Sequence, residues 1–167
     1  MDITLVLETY YPTAKWSGSA STYATLIWKD TIIPKPTELD LLNKWTKLEL
    51  ELAISDKLIE LSLAAGNVIS AGFSSNALGT TYYYDGTPED QLNLVGAVAA
   101  GAAMPFSVRI NNTDIMKTYM IHTIAQLKQV MNDGKMFKLG ILQKFNNLKD
   151  SVLICTSLAE VKAIVWV

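Results

Sequence analysis

Hydrophobic positions along the chain recur at two spacings. Two long stretches step by three and four residues, the helical period, and short β-branched and aromatic runs between them read as strands. The first long stretch runs from Thr37 to about Ala65, with Leu41, Trp45, Leu48, Leu52, Ser55, Ile59 and Ser62 on one seam and Gly66-Asn67 as the expected stop. Leu50, Ile54, Leu58 and Leu61 fall outside that seam, so the apolar face is broader than a two-stranded coil needs. An intermolecular seam and an amphipathic helix packed on its own domain both fit. Ile124, Leu127, Met131, Gly134, Lys138, Ile141, Phe145, Leu148 and Val152 form the second seam. It opens at the capping box Thr123-Ile124-Ala125-Gln126, and a kink or loop is expected near Gly134 and Lys138.

Shorter elements surround these helices. Ile3 to Tyr10 fits a short helix or a strand, Thr22 to Trp28 reads as a strand, and Pro34 to Pro36 forms a stiff joint before the Thr37 cap. Phe73 to Ser75 and Thr80 to Tyr84 flank Asn76-Ala77-Leu78-Gly79 as one hairpin. Phe106 to Ile110 and Ile115 to Met120 flank Asn111 to Asp114 as another. Thr87-Pro88-Glu89-Asp90 is a complete helix start, and the small residues Gly96 to Ala103 suit close helix packing. Ser157-Leu158-Ala159-Glu160 caps a short last helix, Leu158 to Val165. The expected fold is α+β, with two long α-helices, two β-hairpins and a short C-terminal helix. Its expected division is a small N-terminal attachment module (1–36), a long connecting helix (37–70) and an α+β domain (71–167).

Composition narrows the chemistry. Of 167 residues, 50% are hydrophobic and 18% charged, enough for a real core, and the net charge of −2 offers no basic field for nucleic acid. An acid at Asp2 argues against a secretory signal, and the weakly polar run Leu92 to Phe106 is too short to span a bilayer, so a soluble chain without membrane insertion is expected. A lone Cys155 and a lone His122 leave no disulfide and no zinc pattern. Gly96 to Ala103 lacks the Lys-Ser/Thr of a phosphate loop. Asp85, Glu89 and Asp90 are accounted for by the helix start, and His122 by a structural hydrogen bond beside the Thr123 cap. No catalytic, cofactor or metal residues are assigned, and an enzyme is the least expected class. Two candidate surfaces remain: Leu41, Trp45, Leu48 and Leu52 for self-association or a partner, and Tyr82, Tyr83 and Tyr84 for stacking on a sugar.

Four segments in order carry a resemblance. They are Gly72-Phe73-Ser74-Ser75 with Ala77-Leu78-Gly79; Asp90, Gln91, Asn93, Leu94, Gly96 and Val98; His122, Thr123, Gln126 and Leu127; and Ser157 to Val161 with Ala163, Ile164 and Trp166. Across about Ala71 to Trp166 the chain resembles a bacteriophage domain-of-unknown-function family found in tail-fibre and related tail proteins. It departs from that family at Asn111 to Met116, which lacks the usual Gly-Trp of the second hairpin. Tyr11-Pro12, Trp28 and Pro34 to Glu38 are similar in style to small phage tail proteins. The resemblance implies a structural or adaptor part of a tail, its fibres or baseplate. It implies a chain bound to other phage tail or fibre proteins, located in the virion tail and in host cytoplasm during assembly, and in that context the helical seam at Leu41, Trp45, Leu48 and Leu52 points to a homo-oligomer, dimer or trimer. A tail-fibre assembly chaperone and a carbohydrate-binding receptor module are the alternatives. The family carries no known catalytic residues.

Overall fold

A computed structural model describes residues 1–18 and 22–167. The fold is mixed α+β: five α-helices and three separate two-stranded antiparallel sheets among the described residues. The chain divides into two compact units. The first comprises Met1–Lys57 with Ile154–Ala163, the second Leu58–Leu153 with Ile164–Val167.

In the first unit, Ile3–Tyr10 is a helix, α1, because Asp2 caps it: the Leu5 N–H donates to the Asp2 carboxylate at 3.0 Å. Its spacing buries Ile3, Val6 and Leu7 together. The strand expected over Thr22 to Trp28 is mostly not one. Tyr23–Thr25 is a single 3-10 turn, closed by the Thr25 hydroxyl on the Thr22 carbonyl, and only Ile27–Trp28 (β2) pairs, with Trp16–Ser17 (β1). Local hydroxyl bonding and the Tyr23 OH bond to the Pro36 carbonyl, 2.7 Å, hold the turn against strand propensity. These pieces close over the start of helix α2, Glu38–Ala71, in a core of Ile3, Val6, Leu7, Leu26, Leu41 and Leu48. Thr37 and Asp40 cap α2 reciprocally, N–H of each to the side chain of the other, at 3.0 and 3.1 Å.

Helix α2 does not stop at Gly66-Asn67. Gly66 stands in open space inside the helix, and the half-buried Val68 and Ile69 continue its apolar face. The stop is Gly72, at φ +98, where a Cβ would lie 2.1 Å from the Tyr84 carbonyl oxygen.

The second unit begins there. Phe73–Ser75 (β3) pairs with Tyr82–Tyr84 (β4), Phe73 opposite Tyr84. Thr87 caps helix α3, Pro88–Ala99, by accepting from the Asp90 N–H. This helix ends before the expected Ala103 because Gly101, at φ +69, turns the chain out. Gly96 has nothing within 4 Å of where its Cβ would be, so the close approach expected there falls instead to the buried Ala97.

The second hairpin is offset from its expected position. Met104–Val108 (β5) pairs with Thr118–His122 (β6), Met104 opposite His122 and Val108 opposite Thr118. After Val108 the chain leaves β6 for β4: Arg109 and Tyr83 exchange both backbone hydrogen bonds, at 3.0 and 2.8 Å. That bridge draws Arg109 and Ile110 out of the hairpin. Pro105 is tolerated because a two-stranded sheet leaves every residue on an edge. The Thr123–Gln126 capping box opens α4, Ile124–Leu153, which runs unbroken through Gly134 and Lys138. Leu127 and Val130 on α4 close a core with Phe73, Ala77, Tyr84, Leu94, Ala97 and Val108. The last helix, α5, is Leu158–Ala163, capped by Ser157 and Glu160 and shorter than expected.

Candidate functional site

The seam proposed from spacing divides between core and surface. Leu41 and Leu48 lie in the core of the first unit, with Trp45 packed against it, so these three are engaged within their own chain. Leu52, one turn further on, is 42% exposed. The apolar line they begin continues as Ile59 and Leu63, both uncovered.

The three tyrosines also separate. Tyr82 and Tyr83 are half-buried, whereas Tyr84 is 2% exposed and belongs to the core, which removes it from any ligand surface. Its ring stacks on Phe73 (centroids 5.7 Å apart) and on Phe106 (6.5 Å), and meets the His122 ring edge-on at 5.9 Å. Its hydroxyl lies 2.9 Å from His122 Nε2, while His122 Nδ1 lies 2.8 Å from the Met120 carbonyl. A carbonyl can only accept, so Nδ1 carries the proton and Nε2 accepts from Tyr84. Both ring nitrogens are thereby occupied, and His122 joins two hairpins. Burial first, then Tyr82 and Asp133, pushes the Tyr84 phenol up to about 12.

The acids at the start of α3 form an ion-pair cluster. Asp85 holds Arg109 Nε at 2.7 Å and Lys117 Nζ at 2.6 Å, and Lys117 reaches Asp90 at 3.3 Å. Arg109 also donates to the Ala71 carbonyl at 2.9 Å, so one guanidinium ties the end of α2 to the turn before α3. The Asp85 hydrogen bond, above all, raises the Lys117 ammonium above its ordinary value. Among the described residues no group of three His, Cys, Asp or Glu side chains could hold a metal ion.

A polar hollow is lined by Ser74, Ser75, Asn76, Gln129 and Asp133. Ser75 donates to the Asp133 carboxylate at 2.6 Å and accepts from the Ala77 N–H at 3.2 Å, which ties β3 to α4 and occupies the hydroxyl in both directions.

The feature that sequence reasoning missed is an apolar cleft of about 320 Å³ between α3 and α4. Phe73 and Phe137 form its floor, Leu94, Val95, Met131, Leu139 and Leu142 its walls, and Lys135 and Lys138 its charged margin. Lys138 donates to Gln91 across it at 3.1 Å. The signal was present in Met131, Leu139 and Leu142, apolar positions that share one face of α4 with lysines. Among the described residues no helix is long and apolar enough to cross a membrane.

These features define a mixed α+β protein whose polar clusters are tied into its fold and whose α3–α4 cleft is lined mainly by apolar side chains. No family model, no curated protein and no solved structure matches the chain.

Proposed function

We propose that this chain is a structural or adaptor component of a bacteriophage tail, forming or attaching tail fibres or baseplate, and that it works as a homo-oligomer alongside other tail or fibre proteins. The observation that carries this reading is the ordered set of four segments shared in style with the tail-fibre-associated family, from Gly72 to Trp166. Support comes from what those residues do physically. Gly72 makes the turn out of α2, Phe73 and Leu94 build the core, Gln91 donates to the Gly86 carbonyl at 2.7 Å, and His122 and Thr123 join the second hairpin to α4. A set of residues spent on folding is what a scaffold shared among assembly proteins requires, since the partner-facing positions are then free to differ.

The uncovered apolar faces of α2 and α4 favour a second reading, the tail-fibre assembly chaperone, which covers such surfaces only transiently. Mass spectrometry of particles purified from the phage that carries the gene separates the two. Stoichiometric presence in particles supports the structural role. Presence in the infected-cell lysate with absence from particles supports the chaperone, and absence from both overturns the tail assignment.

A further inference from the structure

We propose that the cleft between α3 and α4 binds a small amphipathic anion, an unbranched aliphatic chain ending in a carboxylate. The chain lies in the cleft and the carboxylate on Lys135 and Lys138. The site falls wholly within the second unit, and it does not depend on the tail assignment.

The lining sets the body of the ligand. Phe73 and Phe137 stack with centroids 6.3 Å apart to make an aromatic floor. That floor is fixed from behind, because Phe73 also stacks on Tyr84 at 5.7 Å and lies against Gly134. The walls are uncovered: Val95 is 53% exposed and Leu139 48%. A preformed apolar recess with a few polar groups at its edge is the usual form of a small-molecule site. A methylene fills roughly the ~30 Å³ share of one water molecule, so a cleft of about 320 Å³ takes a chain of roughly eight to ten carbons.

The polar groups set the head. Gln91 donates its Nε2 to the Gly86 carbonyl at 2.7 Å, which turns its Oε1 to receive Lys138 Nζ at 3.1 Å. An amide oxygen leaves the ammonium charge unneutralised, and two of its three N–H groups remain for an acceptor. Lys135 stands three residues before Lys138 and on the same face of α4. Among the described residues neither ammonium has a carboxylate within ion-pair distance. The acids of the surrounding helices are spent or turned away. Asp133 takes Ser75, Asp90 takes Lys117, and Glu89 lies about 200° round α3 from Gln91. The stretch of α2 from Leu61 to Ala71, which lends Ile69 to the cleft, contains no acid. Two unmatched cations beside an apolar recess select an apolar body with an anionic end.

Shape selects a slim chain over a peptide. A helix with its side chains is ~10–12 Å across and needs an open trough. Here the Lys138–Gln91 bond ties the two walls together.

Calorimetric titration of the full chain with decanoate, kept below its micelle-forming concentration, tests this. The expected result is saturable one-to-one binding, with octanoate and hexanoate weaker by about fourfold for each methylene removed. Decan-1-ol, the same body without the charge, should bind at least about tenfold more weakly than decanoate. Lys135→Gln with Lys138→Gln should weaken decanoate by about tenfold or more and leave decan-1-ol unchanged. Leu139→Glu, which sets a carboxylate in the wall, is a second probe and should abolish decanoate binding. All three positions are exposed, and circular dichroism confirms that each variant is folded. Absence of saturable decanoate binding overturns the proposal, as does decan-1-ol binding as tightly as decanoate or decanoate binding indifferent to the lysine pair. A cleft that is filled only by an acidic amphipathic peptide overturns it as well, because the occupant is then a protein segment.

Discussion

Gly134 of α4 lies against the ring of Phe73 so closely that a Cβ on Gly134 would come within 2.6 Å of the ring's Cζ. The ring cannot easily yield, since it stacks on Tyr84 at 5.7 Å and Phe137 at 6.3 Å. Gly134 is thus a contact surface inside a continuous helix, the place where α4 crosses β3. Gly140, six residues on in the same helix, has nothing within 4 Å of its Cβ position.

The same substitution at these two glycines should therefore have opposite signs. Replacing a helix-interior glycine by alanine gains about 1 kcal/mol of backbone preference. At Gly140 that gain stands alone, so Gly140→Ala should raise the unfolding free energy by about 0.5–1 kcal/mol. At Gly134 overpacking costs about 1–3 kcal/mol and outweighs it, so Gly134→Ala should destabilise. Equal effects at the two sites in urea melts would show that Phe73 does not hold α4 at this point.

The contrast shows which parts of this chain were legible beforehand. Capping boxes at Thr123 and Ser157 and the caps at Thr37 and Thr87 are local, their partners lie three residues away, and all four form as their residue types require. What covers a helix face is not local. The line from Leu41 to Leu63 has one periodicity, yet Leu41 and Leu48 are buried and Ile59 and Leu63 are not, because the first unit's small elements close over only its start. Gly134 reads as an interruption of a seam until Phe73, far away in sequence, is seen to occupy the space. Tyr84 reads as one of three surface rings until its register opposite Phe73 sets it in the core. The cleft escaped notice because its walls come from α3 and α4 together, and no single stretch carries a motif for it.

Tyr84 should leave a signature at alkaline pH. A phenol held neutral by burial, with its value up to about 12, adds stability that is complete below the ordinary tyrosine value. As pH rises the unfolded chain ionises first, and this contribution is lost between the ordinary value, near 10, and the folded one. In Tyr84→Phe that slope should flatten, while the lost bond to His122 lowers stability at neutral pH by about 1–2 kcal/mol. Stability measured against pH for both proteins provides the check. Identical alkaline slopes would place the Tyr84 phenol in solvent.

Asp85 is the carboxylate that pairs with both Arg109 and Lys117, with the Asp85 and Arg109 side chains only 18% and 12% exposed. Asp85→Ala should cost about 2–3 kcal/mol, because it leaves a mostly buried guanidinium without its carboxylate. Removing both partners should cost less than the sum of the single changes, and a double-mutant cycle over Asp85 and Arg109 measures that coupling. Simple additivity would mean the two charges act separately.

Asp30 gives the first unit one of its acid-sensitive contacts. Its carboxylate accepts from the backbone N–H groups of Ile33 at 2.7 Å, Ile32 at 2.8 Å and Lys15 at 3.1 Å. The bond from Ile33, then that from Ile32, holds its pKa below the usual aspartate value. These bonds fix the turn after β2, where Trp28 Nε1 donates to the Ile33 carbonyl at 2.8 Å. A carboxylate with a lowered folded value adds stability that is complete above the ordinary aspartate pKa and is lost as pH falls through the folded one. Asp30→Ala should lower the thermal midpoint at neutral pH, and the gap to the parent protein should close on acidification through that lower range. Tryptophan fluorescence is the right probe, because Trp16, Trp28 and Trp45 all pack at the first unit's core. A gap that stays constant from neutral to strongly acid pH would mean that the three backbone bonds do not depend on the Asp30 charge.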